Sequence, residues 1–305
     1  MEKGNRPELK ELHCSDLAKE IDSFLGDGYR LDMIMPADDP REAIVSKVGE
    51  SVRIVLSPGL SRQGPPEGGT QNWIAGRAGM EYRDLIPDRL DGRVIASHIR
   101  ITEGGEVPDY VHYHKIWFQM IYCKSGSIRV VYEDQGPPFV LEAGDCVLQP
   151  SGIRHRVLES SVGAEVIEVS SPAEHETWVE HELKLPTSEV KSNRDFGGQK
   201  FVRHVGRHAQ WKAAGSNCIV AETEIGNATK DMGRVRTMKI AGHGTALVES
   251  GDAFVFLYVI SGAVLPPSKC PTLHADDHVV ITDRSGVTLT ALEDSEILEV
   301  RLREI

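Results

Sequence analysis

Four residues in two short segments have the types and spacing to hold a metal ion. The first segment runs from Gly105 through Tyr110, His112, His114 and Gln119 to Gly126; the second runs from Gly144 through Pro150 and Gly152 to His155. On a strand, residues i and i+2 face the same side, so His112 and His114 can point together into one interior. Gln119 arrives after a short bend, and Gly126 permits the turn that follows. Pro150 and Gly152 form a turn able to carry His155 back across that interior. Three neutral imidazoles converging in a dry site suit Fe, Mn, Ni, Cu or Zn, with Gln119 as a weaker neighbour.

Strand parity sets the company these ligands keep. Tyr110 shares the His112 face, and Trp117, Ile121 and Cys123 fall on the Gln119 face. Trp117, Ile121 and Cys123 are therefore candidates to line a substrate pocket, with the Tyr110 hydroxyl as a proton or hydrogen-bond donor. Ordinary barrel core is the competing reading for the same residues, and Cys123 also reads as a small buried hydrophobe.

The elements that must position the site are short strands. Between Val94 and Val169, runs rich in Val, Ile and Tyr alternate with Gly-, Pro- and Asp-bearing turns, the texture of a β-sandwich or barrel. The same texture resumes at Cys218. Before it, Leu9, Leu12, Leu17, Ile21 and Leu25 predict a helix that stops at Gly26 and Gly28, and a long loop follows Ser57. The segment EHETWVEHELKLP predicts a charged, partly helical linker closed by Pro186. His175-Glu176 with His181 lacks the spacing of a metalloprotease helix and reads as part of that linker.

The two β regions look like copies. FQMIYCKSG at Phe118 lies over FVFLYVISG at Phe254 with an offset of 136 (254 − 118), and AGDCVLQP at Ala143 lies over ADDHVVIT at Ala275 with an offset of 132 (275 − 143). These offsets put Val248, Ser250, Val255 and Val287 where the first copy has His112, His114, Gln119 and His155. The second unit is expected to bind no metal in this way and to serve in packing and dimer contacts.

Composition bounds the rest. The chain has 305 residues, 40% hydrophobic and 26% charged, enough for two globular units. Its 34 Lys and Arg against 46 Asp and Glu give a formal charge of −12, which disfavours nucleic acid and anionic membranes as partners. No apolar run is long enough to span a bilayer, and the first residues lack the hydrophobic centre of an export signal. Five scattered cysteines, Cys14, Cys123, Cys146, Cys218 and Cys270, fit a reducing compartment, so a cytoplasmic location is expected. No P-loop, dinucleotide-binding glycine pattern or Gly-x-Ser-x-Gly elbow is present in the sequence.

The two metal segments are similar to the signature motifs of the cupin superfamily, and the whole chain resembles a bicupin. The family's first motif has the core His-x-His, three or four residues, Glu, six residues, Gly, matched here by His112, His114, Gln119 and Gly126. Its second is Gly, five residues, Pro-x-Gly, two residues, His, matched by Gly144, Pro150, Gly152 and His155. Three positions depart from the pattern. Gly105 stands one residue further out, Gln119 replaces the Glu ligand, and Glu159 replaces a terminal Asn.

The resemblance implies an all-β fold of two tandem jelly-roll barrels. It divides the chain into an N-terminal helix-and-loop extension (1–85), a metal-binding barrel (86–172), a linker (173–215) and a second barrel without ligands (216–305). It also implies one divalent transition metal, Fe first among Fe, Mn, Ni, Zn and Cu, and a homodimer. The leading functional expectation is an Fe(II)-type dioxygenase acting on a small organic acid or phenolic compound. Its rivals are a metal-dependent isomerase or lyase on a small carbonyl compound, and a small-molecule-binding cupin without catalysis.

Overall fold

The computed structural model describes residues 9–57, 73–266, 271–281 and 284–303. Two β-barrels of jelly-roll type stand in tandem, each made of two facing antiparallel sheets. In the first barrel, one sheet places Glu176–Val179, His112–Lys115, His155–Ser160, Ser127–Tyr132 and Phe139–Glu142 side by side. The facing sheet runs Val202–His204, Cys146–Leu148, Phe118–Ser125, Ala164–Ser171, Ile95–Ile101, Met80–Asp84 and Ile74–Ala75. The second barrel pairs a six-stranded sheet centred on Ser295–Leu302 with a four-stranded sheet that holds Thr245–Val248 and Val287–Ala291.

Alternation along the strands sorts side chains between two cores. On Phe118–Ser125, Phe118, Met120 and Tyr122 join Phe254, Phe256 and Tyr258 in a cluster between the barrels. Cys123 instead enters the interior of the first barrel with Val130, Leu141 and Val166. Phe118 and Phe256 are wholly buried, and each such burial contributes roughly 2–3 kcal/mol. The barrels approach so closely that a Cβ on Gly233 would lie 2.3 Å from a Phe118 ring carbon. Gly126, at φ 69°, takes the left-handed turn that reverses the chain into Ser127–Tyr132.

The duplication holds at the level of register. Met120 pairs with Leu148 and Phe256 with Val280, which reproduces both sequence offsets. A register shift between Cys123 and Ser125 recurs between Val259 and Ser261.

Three expectations are corrected. The N-terminal helix begins only at Leu17, where the Asp16 side chain accepts from the Lys19 amide; Lys10–Cys14 is a strand paired in parallel with Glu50–Leu56. The extension is thus a four-stranded layer capped by that helix around Ala43, Val45, Val52 and Ile54, and it continues the barrel sheet through Glu176–Val179. Strands Ile74–Ala75 and Met80–Asp84, read from sequence as part of the extension, belong to the barrel sheet. The segment expected as a partly helical linker carries the strand Glu176–Val179, where Thr, Trp and Val suit a pleated surface and the neighbouring strands supply hydrogen bonds. The loop expected after Ser57 lies, over 58–72, outside the described residues.

Among the described residues no helix is long and apolar enough to cross a membrane.

Candidate metal centre

His112 and His114 occupy alternate positions of the short strand His112–Lys115 and are both buried. His155 opens the adjacent strand and is the register partner of His112. The turn before it is closed by the Ile153 amide bonding the Pro150 carbonyl, and it is tied to the first strand by the Gly152 amide on the His114 carbonyl, 2.9 Å. One ring nitrogen from each histidine falls within 4.8 Å of the other two, the only such group among the described residues.

The second ring nitrogens fix the tautomers. His112 Nδ1 donates to the Tyr110 carbonyl at 2.8 Å, and His155 Nδ1 to the Ile153 carbonyl at 3.0 Å. His114 Nδ1 lies 2.9 Å from the Thr177 hydroxyl. Carbonyls only accept, so His112 and His155 carry their proton on Nδ1 and present the Nε2 lone pair, as a metal ligand requires. Buried Asp109 braces the approach: its carboxylate accepts from the Tyr110 and Val157 amides.

Gln119 projects into the same interior. Its amide nitrogen donates to Glu168 Oε1 at 3.1 Å, and Ser170 Oγ donates to that oxygen at 3.0 Å. A carboxylate offers only acceptors at neutral pH, so the amide orientation follows from chemistry. The Gln119 carbonyl oxygen is then left buried with no hydrogen-bond partner among the described residues. Such an orphan acceptor is costly unless a cation or donor meets it. Three imidazoles and this oxygen are a donor set that fits a divalent transition metal.

The other sequence candidates separate. Ile121 lines the cavity beside the histidines, together with Gln119. Trp117 turns the other way and packs against the cluster between the barrels, because it precedes the strand and its carbonyl is held by Gln199 Nε2 at 2.6 Å. Cys123 lies deeper in the core, its thiol pushed up to about 12 by burial, so it behaves as packing rather than as a substrate contact. Tyr110 sets its ring edge-on to His112, 5.9 Å between centroids, and its backbone carbonyl orients that ligand.

Sequence reasoning missed Thr177, Glu168, Gln149 and His175. Glu168 and Gln149 line the cavity; His175 is buried with its ring 5.3 Å from His114, and burial holds its pKa below the ordinary value. For Glu168 a signal existed: in AEVIEVSS it alternates with apolar Ile167 and Val169, which marks it as facing away from them.

Comparison with known proteins agrees with this geometry. A family profile described as Cupin domain matches residues 97–170. Among solved structures, the chain is similar to a Trp-to-Tyr variant of oxalate decarboxylase from Bacillus subtilis, at 15% identity over 76% of this chain and 75% of that one, TM-score 0.54. It is similar to the Lactobacillus farciminis oxalate decarboxylase formate complex, at 15% identity over 77% and 84%, TM-score 0.56. A third structure, concerned with the Mn(II) centres of the Bacillus subtilis enzyme, gives 14% identity over 77% and 76%, TM-score 0.55. The structural similarity shows a shared fold, and at this level of identity it shows the fold alone. No curated protein matches the sequence.

Proposed function

We propose that this chain, whose residues 97–170 match a Cupin domain profile and whose tandem-barrel fold is that of the oxalate decarboxylase structures, is a metal-dependent lyase that removes CO2 from a small organic acid in the first barrel, with Mn(II) as the ion. The observation that carries this reading is the buried three-histidine group completed by the orphan oxygen of Gln119. A divalent ion held there supplies Lewis-acid polarisation of a bound carboxylate or carbonyl.

The chain's own residues do the rest. The donors are neutral, so a dication held there keeps its charge at its open positions, with Glu168 and buried Asp109, 3.7 Å from His112 Nδ1, as the carboxylates nearby; an anionic substrate can therefore bind the ion directly. Loss of CO2 leaves an electron pair on the substrate carbon, which must take up one proton. Glu168 is the acid–base group that lines the cavity; Gln119 and Ser170 anchor its Oε1, which makes Oε2 the atom to hold and deliver that proton. This role passes to Glu168 from Tyr110, which is not among the residues lining the cavity. The apolar barrel wall excludes water that would compete for the ion.

The expected Fe(II) dioxygenase uses the same donors. The likeness to manganese decarboxylases moves the lyase ahead of it. The test is to load the protein with Mn(II) or Fe(II), supply a panel of small acids, and follow CO2 release and oxygen consumption together. CO2 without stoichiometric oxygen uptake supports the lyase; uptake matched to product, with Fe(II) only, replaces it with the oxygenase.

A further inference from the structure

A cavity of about 80 Å3 lies beside the histidines, its lining polar near the ligands and mainly apolar beyond them. Most of the polar groups sit within a strand step of the ligands. Gln149 donates its backbone amide to the Gln119 backbone carbonyl, Tyr132 is the register partner of His155, and Glu168 bonds the Gln119 side chain. Beyond them the wall is apolar apart from the Tyr82 hydroxyl, which lies 3.6 Å from the Met80 sulfur. Ile128 and Leu141 face each other across one sheet, and Ile99 and Val166 across the other, with Ile121 and Val130 between.

The polar end carries unmet hydrogen-bonding capacity. Gln149 is 1% exposed, yet neither its carbonyl oxygen nor its amide nitrogen has a partner among the described residues; the same holds for Arg156 Nε. A buried carboxamide left so is destabilising by a few kcal/mol unless a ligand completes it. The Gln149 amide nitrogen complements an anionic head group. The apolar end offers a second carboxylate no cationic partner, so the loss of its water would go largely uncompensated there.

We propose that the first barrel takes a monocarboxylic acid with an apolar body, its head received by the ion and Gln149 and its chain buried among Ile99, Ile121, Ile128, Val130, Leu141 and Val166. This rests on the metal-site reading above, and it separates this chain from its structural neighbours in substrate. Oxalate, two carboxylates and nothing else, would leave the hydrocarbon end unfilled.

The test is calorimetric titration of Mn(II)-loaded protein with straight-chain 2-oxo acids from pyruvate to 2-oxooctanoate, and with oxalate. Affinity should rise about threefold to fourfold per added methylene until the cavity is full. In Val130→Phe the added ring fills the apolar end, so the rise should stop at shorter acids while Mn content, measured on the same sample, is kept. A flat series, or tightest binding by oxalate, overturns the proposal while normal Mn content leaves the metal site standing. Protein that takes up no Mn overturns both.

Discussion

His112 and His155 are register partners on adjacent antiparallel strands, and the second barrel holds Val248 opposite Val287 in the same register. The backbone that positions two ligands is thus repeated with valines in their place. Neither valine has a lone pair to offer, and both contribute to the second barrel's apolar core. The division of labour between the barrels is therefore a matter of side chains on a common frame. The glutamate is the exception: Glu168 pairs with Ile121 and Glu299 with Leu257, the same place in each barrel.

Removing one ligand should separate the two barrels' roles. His114→Ala is expected to abolish bound metal and leave the fold largely intact, because a three-histidine site reduced to two cannot compete with water for a divalent ion. Val248→Ala should leave metal content unchanged and lower stability by about 2 kcal/mol through a core cavity. Elemental analysis and urea unfolding on both variants check the pair.

Thr177 reaches His114 from a strand 63 residues further along the chain. Thr177→Val keeps the shape and removes the hydroxyl, so His114 loses the hydrogen-bond partner that orients its ring. Metal affinity should fall about 10-fold to 100-fold, and Thr177→Ser should restore most of it. Competition for Mn(II) against a fluorescent chelator gives the ratio, with Thr177→Ser guarding against a general packing effect.

What the sequence made legible was whatever depended on local spacing. The interval from His112 to His114 gives a shared face, the interval from Pro150 to His155 gives a turn and return, and the two offsets reappear as strand register. What it hid depended on pairing across long separations. The charged stretch around Thr177 is a strand because His112–Lys115 and Arg30–Met35 flank it on either side, and no local pattern announces that. The N-terminal leucines have helical spacing as far as Leu9, yet Leu12 pairs with Ile54 and the helix waits for the Asp16 cap. Trp117 obeys strand parity on paper; it lies one residue before the strand, where parity ceases to apply.

Glu168→Gln replaces the acceptor that orients the Gln119 amide and removes the acid–base group from the cavity. The turnover number should fall at least about 100-fold, while Mn(II) affinity falls far less because the three histidines are untouched. A loss confined to metal affinity, with turnover recovered at saturating Mn(II), would reassign Glu168 to positioning Gln119. Steady-state kinetics across a Mn(II) titration distinguishes the two.

The junction between the barrels should make the protein sensitive to acid. His98 is 2% exposed, with Nε2 3.1 Å from Glu165 and Nδ1 2.9 Å from Arg83, and Tyr258 of the second barrel packs against it. Lys124 lies 2.6 Å from both Glu165 and Asp276, so the two cations and two carboxylates around the ring are already balanced. Burial, reinforced by Lys124 and Arg83 and opposed by Glu165, lowers the imidazole pKa from 6.5 to about 4. Because the folded value lies below the unfolded one, the neutral ring stabilises the fold fully above pH 6.5. That contribution is lost as pH falls from there through about 4. Urea unfolding of the wild type between pH 7 and pH 4.5 should show a steeper loss than His98→Gln, which has no proton to gain; parallel curves would mean the ring is not buried neutral at this junction.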